Sequence, residues 1–177
     1  QAQVAKPDDD LPGRLHEPNL VADARTIDAA LSAEATTSLL SQAPVAYRTQ
    51  VNDLLLTALA RTLCAWSGKQ TVLIELEGHG RESDGIDDMD LSRTVGWFTT
   101  LFPVRLNPGQ GDVGESIRSI KDQLRQVPNK GIGYGVLRHL SEQGATLKEG
   151  PPAQITFNYL GQVDGHEQGP GFIWCLS

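Results

Sequence analysis

Cysteine is scarce: Cys64 and Cys175 are the only two in 177 residues. Two are too few for a disulfide framework, and neither stands at a metal-site spacing, so a reducing, cytoplasmic setting is expected. Basic residues are in deficit as well, fifteen Lys and Arg against twenty-two Asp and Glu, for a net charge of -7. No basic stripe interrupts that balance, which makes nucleic acid a poor partner. No apolar run is long enough to span a bilayer, and the amino end, Gln1 to Asp10, is polar and acidic where a leader would be basic and then apolar, so neither membrane nor secretion is expected. No two of His16, His79, His139 and His166 are adjacent, and none has a Ser, Cys or metal-ligand partner at a telling distance. A hydrolase triad and a bound metal therefore lack support.

The length suits one compact domain with a real core. The chain is 39% hydrophobic and 21% charged, ordinary for a globular protein, while 18 Gly and 10 Pro announce many turns. Pro7, Pro12 and Pro18 among Asp8, Asp9 and Asp10 make residues 1–22 read as an extended connection. The chain begins without Met and stops just after the apolar run Phe172 to Leu176, so both ends are expected to be cuts.

A short helix is predicted from N-cap Ser32, closed by Pro44. A long one is predicted over Tyr47 to Trp66, where Val51, Leu54, Leu55, Ala58, Leu59 and Leu63 recur at helical steps and Gly68 stops the run. Thr71 to Leu76 reads as a strand broken by Gly78 and Gly80, which leaves Glu77 at a strand end. Phe98 to Leu106 reads as an edge or bulged strand because of Pro103. Asp112 to Val127 reads as a capped helix with Val113, Ile117, Ile120 and Leu124 on one face, and Gln154 to Leu160 as a further strand. Alternating strands and helices predict an α/β layered sandwich.

Four local signals carry potential chemistry. Glu77-Gly78-His79-Gly80-Arg81-Glu82 places a carboxylate at a strand end, where it can trade a proton with a substrate carbon. The same residues also suit a plain turn with positive-φ glycines and solvated charges. Arg93 to Phe98 offers Trp97 and Phe98, equally readable as core aromatics or as cleft lining. Pro128 to Gly135 is glycine-rich but lacks the strand-turn-helix setting of a dinucleotide site, so nucleotide binding is rejected. Phe157-Asn158-Tyr159-Leu160-Gly161-Gln162 sets an amide and a phenol on alternate sides of a strand, facing either a cleft or the core. The acidic stretch from Arg81 to Asp90 does not follow a calcium-loop spacing and reads as a solvated loop.

Taken in order, and with Asn52-Asp53-Leu54-Leu55-Leu56-Thr57-Ala58 before them, these signals resemble the later motifs of nonribosomal peptide synthetase epimerization domains, members of the condensation-domain superfamily. Condensation domains share the fold but usually lack the runs Glu-Gly-His-Gly-Arg and Phe-Asn-Tyr-Leu-Gly-Gln. The resemblance implies a chloramphenicol acetyltransferase-like pseudo-dimer of two α/β halves around a tunnel. Residues 23–177 would be its carboxyl-terminal half, truncated at the end, and residues 1–22 the connection from a missing amino-terminal half that holds a His-His-x-x-x-Asp-Gly motif.

It further implies inversion of an aminoacyl or peptidyl α-carbon held as a thioester on the phosphopantetheine of a peptidyl carrier protein, with no cofactor bound directly. Glu77 would be the acid/base carboxylate, Arg81 would orient it or the thioester, and Asn158 and Tyr159 would line the site and stabilise an enolate. The isolated piece is expected to be inactive. A condensation-type acyltransferase half and a noncatalytic carrier-binding half stay open as alternatives.

Overall fold

The structure, a computed structural model, describes residues 11–12, 20–81, 93–142, 144–148 and 152–161. The expectations for Cys175, for the acidic loop beyond Arg81, for residues 163–177 and for most of the connecting stretch lie outside them.

After a 3-10 turn at Val21–Asp23, α1 (Ala33–Thr37) opens on Ser32, whose side chain accepts from the Ala35 amide as its sequence position predicts. Pro44 does not close this helix. A π-helical turn, Ser38–Gln42, leads into α2 (Ala43–Tyr47), where Pro44 occupies the first turn. The real break is Arg48, in the left-handed region at φ 51° and ψ 52°.

Helix α3 (Val51–Ser67) therefore starts four residues later than periodicity suggests. Its start is a capping box: the Gln50 side chain accepts from the Asp53 amide, and the Asp53 carboxylate accepts from the Gln50 amide at 2.9 Å. Gly68, at φ 71°, ends it. The buried stripe runs through Leu56, Ala60 and Cys64, whereas Ala58 is exposed. The run Leu54-Leu55-Leu56 leaves the helical phase ambiguous by one residue, and packing selects the register that the spacing alone does not.

Strand β1 (Val72–Gly78) pairs antiparallel with β2 (Thr100–Leu106) and parallel with β3 (Thr156–Phe157), giving the order β2-β1-β3. Pro103 lies on β2, an edge strand among the described residues, as its missing donor requires. Strand β3 is shorter than the predicted Gln154 to Leu160: the Gln154 side chain is engaged by the Leu11 backbone instead, and beyond Phe157 only Glu77 and Gly78 of β1 remain to be paired.

Helix α4 (Val113–Arg125) begins on Asp112, whose carboxylate accepts from the Glu115 amide at 2.8 Å. Ile117 and Ile120 are buried, but Val113 in the first turn is exposed and not part of the apolar face. A 3-10 turn (Pro128–Gly131), α5 (Tyr134–Leu140) and α6 (Gly144–Lys148) complete the order before β3.

One sheet face carries Val72, Ile74, Leu76, Phe102, Val104, Leu106 and Phe157, packed with Leu56, Ala60 and Cys64 of α3 and Ile120 of α4 into a single core. Arg61 ties the two helices together, donating to the carbonyls of Gly111 and Asp112 and to the buried Ser116 hydroxyl. Lys121 and Arg125 of α4 donate to the Tyr47 and Arg48 carbonyls at the carboxyl end of α2, the end of a helix that favours cations. Within the stretch read from composition as a connection, Leu11 is only 6% exposed: it joins the core, and its backbone N–H and C=O both bond the Gln154 side chain. No helix among the described residues is long and apolar enough to cross a membrane.

Candidate functional site

Strand alternation sorts β1 into two sets. Val72, Ile74 and Leu76 face the core, and Leu73, Glu75 and Glu77 face the other way, opposite Arg105, Pro103 and Leu101 of β2. Glu77 is half-buried, one residue from the end of the strand.

The turn after Glu77 is held by close approach. Gly80 is buried at φ +65°, and a Cβ added there would fall 1.6 Å from the Phe98 carbonyl oxygen. Only glycine lets the two backbones meet. His79 Nδ1 accepts from the Arg81 amide at 3.1 Å, closing the turn. The Arg81 guanidinium lies 4.3 Å from the centre of the Phe98 ring and donates to the Gly96 carbonyl at 3.5 Å. Phe98 lies outside the core cluster and is the platform under Arg81. Trp97, 95% exposed, is not a core aromatic either. No local pattern in the sequence joins Arg81 to Phe98, because the two are brought together by the turn.

Asn158 and Tyr159 come directly after β3. The parallel register pairs Glu75 with Thr156 and Leu76 with Phe157 and ends there, so Asn158 is the first residue beyond the paired strand. Tyr159 is half-buried and packs against the core cluster. The two ends of the motif pattern, 77–81 and 157–161, therefore lie toward the same, carboxyl end of the neighbouring strands β1 and β3. Asn52-Asp53-Leu54-Leu55-Leu56-Thr57-Ala58 lies elsewhere, on α3, where Asp53 caps the helix and the Thr57 hydroxyl donates to the Asp53 carbonyl at 2.6 Å. In the Pro128 to Gly135 segment, Asn129 and Lys130 are left-handed, and the buried Gly131 lies against the Phe102 ring.

Glu75 escaped the sequence reading. It lies mid-strand with no turn residue to mark it, and the two-residue spacing from Glu77 is the signal that places both carboxylates on one face.

The sequence from residue 1 to residue 171 matches the model of the condensation domain family. The chain belongs to the condensation-domain family. Among curated proteins, this condensation-family chain is 52% identical over 151 residues to a linear gramicidin synthase of Brevibacillus parabrevis, an alignment covering 84% of the chain and 2% of that protein. It is 51% identical over 146 residues to chondramide synthase cmdD of Chondromyces crocatus, covering 82% of the chain and 4% of that protein.

Among solved structures it is similar to the epimerization domain from the third module of tyrocidine synthetase B, with a TM-score of 0.70, 43% identity, and coverage of 78% of this chain and 31% of that one. The first condensation domain of the CDA synthetase gives a TM-score of 0.52 at 18% identity, covering 73% of this chain and 28% of that one, a likeness of fold alone. This member of the family thus spans a few per cent of those synthases and under a third of either solved chain. The resemblance read from the ordered motifs is borne out.

Proposed function

We propose that this chain forms one wall of an epimerization site, at which the α-carbon of an aminoacyl or peptidyl thioester, carried on the phosphopantetheine of a peptidyl carrier protein, is inverted from L to D. One observation carries this reading: the likeness to an epimerization domain, at 43% identity, is far closer than the fold-level likeness to a condensation domain at 18%.

In this reading the chain is the carboxyl-terminal lobe of a chloramphenicol acetyltransferase-like pseudo-dimer, and a histidine of the amino-terminal lobe is the second acid/base. An α-proton beside a thioester becomes labile only when the negative charge developing on the carbonyl oxygen meets preorganised donors. The C–H electron pair moves to that oxygen as the proton leaves to one base, and the opposite face is protonated by the other. Glu77 supplies the carboxylate. Arg81, held on its aromatic platform, orients Glu77 or the thioester, and Asn158 lines the site, with Tyr159 packed against the core behind it.

The test is solvent deuterium wash-in at the α-carbon, measured on the complete two-lobed domain with a loaded carrier. Wash-in is expected in the wild type, and Glu77→Gln is expected to slow it about a hundredfold or more, the lower range for loss of a general base. Full wash-in by Glu77→Gln would remove Glu77 from the reaction. Amide-bond formation without wash-in would make the domain a condensation catalyst, and carrier binding with neither activity would make it a docking half.

A further inference from the structure

Glu75 and Glu77 share one face of β1, two residues apart. Glu75 is the β1 residue to which β3 is tied: its amide donates to the Ile155 carbonyl at 2.9 Å, and the Thr156 hydroxyl donates to its Oε2 at 3.3 Å. The pairing of β1 with β3 has only two register positions, Glu75 with Thr156 and Leu76 with Phe157. A slip of one residue would turn every β3 side chain to the opposite face. The Thr156 to Glu75 bond opposes that slip, because after it Ile155 or Phe157, both buried in the core here, would lie against the carboxylate in place of a hydroxyl. Asn158 follows this ladder directly, so its place relative to Glu77 depends on the same register.

We propose that Glu75 is a positioning residue that, through the Thr156 hydroxyl, fixes the register of β3 and so holds Asn158 beside Glu77. The proposal rests on the reading of Glu77 as the acid/base and goes beyond it, since it has Glu75 act through its contact with Thr156. Glu75 and Thr156 form a matched acceptor and donor, so either partner can be removed and either can be conservatively replaced.

The experiment uses the complete domain with its loaded carrier and reads wash-in as kcat and KM separately. Glu75→Ala and Thr156→Val are each expected to lower kcat about tenfold, equivalent to about 1.4 kcal/mol, with KM for the carrier unchanged. Glu75→Gln and Thr156→Ser, which keep an acceptor and a hydroxyl, should stay within about twofold of wild type, inside the error with which independent changes add. In an Asn158→Ala background, Glu75→Ala should lower kcat no further, because its effect runs through Asn158. A merely structural role would leave the two changes additive.

Additivity overturns the proposal, and so do wild-type rates for both Glu75→Ala and Thr156→Val. If those two are unaffected while Glu77→Gln is inactive, the positioning role falls and the catalytic reading stands. If Glu77→Gln keeps full rate, the catalytic reading falls and takes the positioning role with it. Thr156→Val, nearly isosteric, decides the matter if Glu75→Ala does not fold.

Discussion

A Cβ on Gly80 would stand 1.6 Å from the carbonyl oxygen of Phe98. The two residues are in contact through backbone alone, and the whole turn after Glu77 is arranged around that contact. Gly80→Ala therefore has to move one of the two segments, and it also forces a side chain onto a left-handed backbone. The expected result is a domain destabilised by about 1–3 kcal/mol with wash-in largely lost, checked by thermal unfolding and by α-carbon exchange side by side.

Arg81 draws its orientation from the Phe98 ring at 4.3 Å. A cation over an aromatic face at a partly exposed position is worth about 0.5–1 kcal/mol. Phe98→Leu, which keeps bulk but not the ring, is expected to slow wash-in about two- to fivefold while leaving the melting temperature nearly in place. Arg81→Lys should do at least as much harm, because an ammonium cannot both stack flat and reach the Gly96 carbonyl.

Arg61 serves stability rather than chemistry. It joins α3 to the carbonyls of Gly111 and Asp112 and to the fully buried Ser116. Arg61→Met keeps much of the stem but gives up these hydrogen bonds, two of them to exposed carbonyls, and a loss of about 1 kcal/mol is expected in denaturant unfolding. Carrier binding measured on the folded variant should be unchanged.

Cys64 is a buried thiol, and its burial pushes its pKa above the ordinary value for cysteine. In a Cys175→Ser background, alkylation of Cys64 near neutral pH is expected to be slow in the native protein and fast after unfolding. Because the fold favours the neutral thiol, its contribution to stability is whole below the unfolded-state pKa and fades as pH rises toward the raised folded value. Unfolding midpoints measured from neutral to alkaline pH should fall more for Cys64 than for a Cys64→Ala variant.

How far the sequence could be read depended on distance along the chain. The Ser32 cap, the Asp112 cap and the Gly68 stop are local devices, and each stands where its residue type predicts. Pro44 misled because a π-helical turn before it lets a first-turn proline continue the path, and Arg48 hid the real break because arginine does not announce a left-handed backbone. Glu77 was legible from the glycines that end its strand. The placing of Asn158 was not, since it depends on a parallel pairing across 81 residues, and Leu11 was hidden for the same reason, its partner Gln154 lying 143 residues on.

That separation also orders events in time. The antiparallel pair β1 and β2, with α4 laid across it, is closed by contacts near in sequence, whereas β3 joins only after a long loop has been gathered in. On a ribosome, residues 51–125 emerge and can bury their shared core well before Thr156 is made. The carboxylate of Glu77 is thus expected to be set in place early and Asn158 late, with β3 the last of the three described strands to dock.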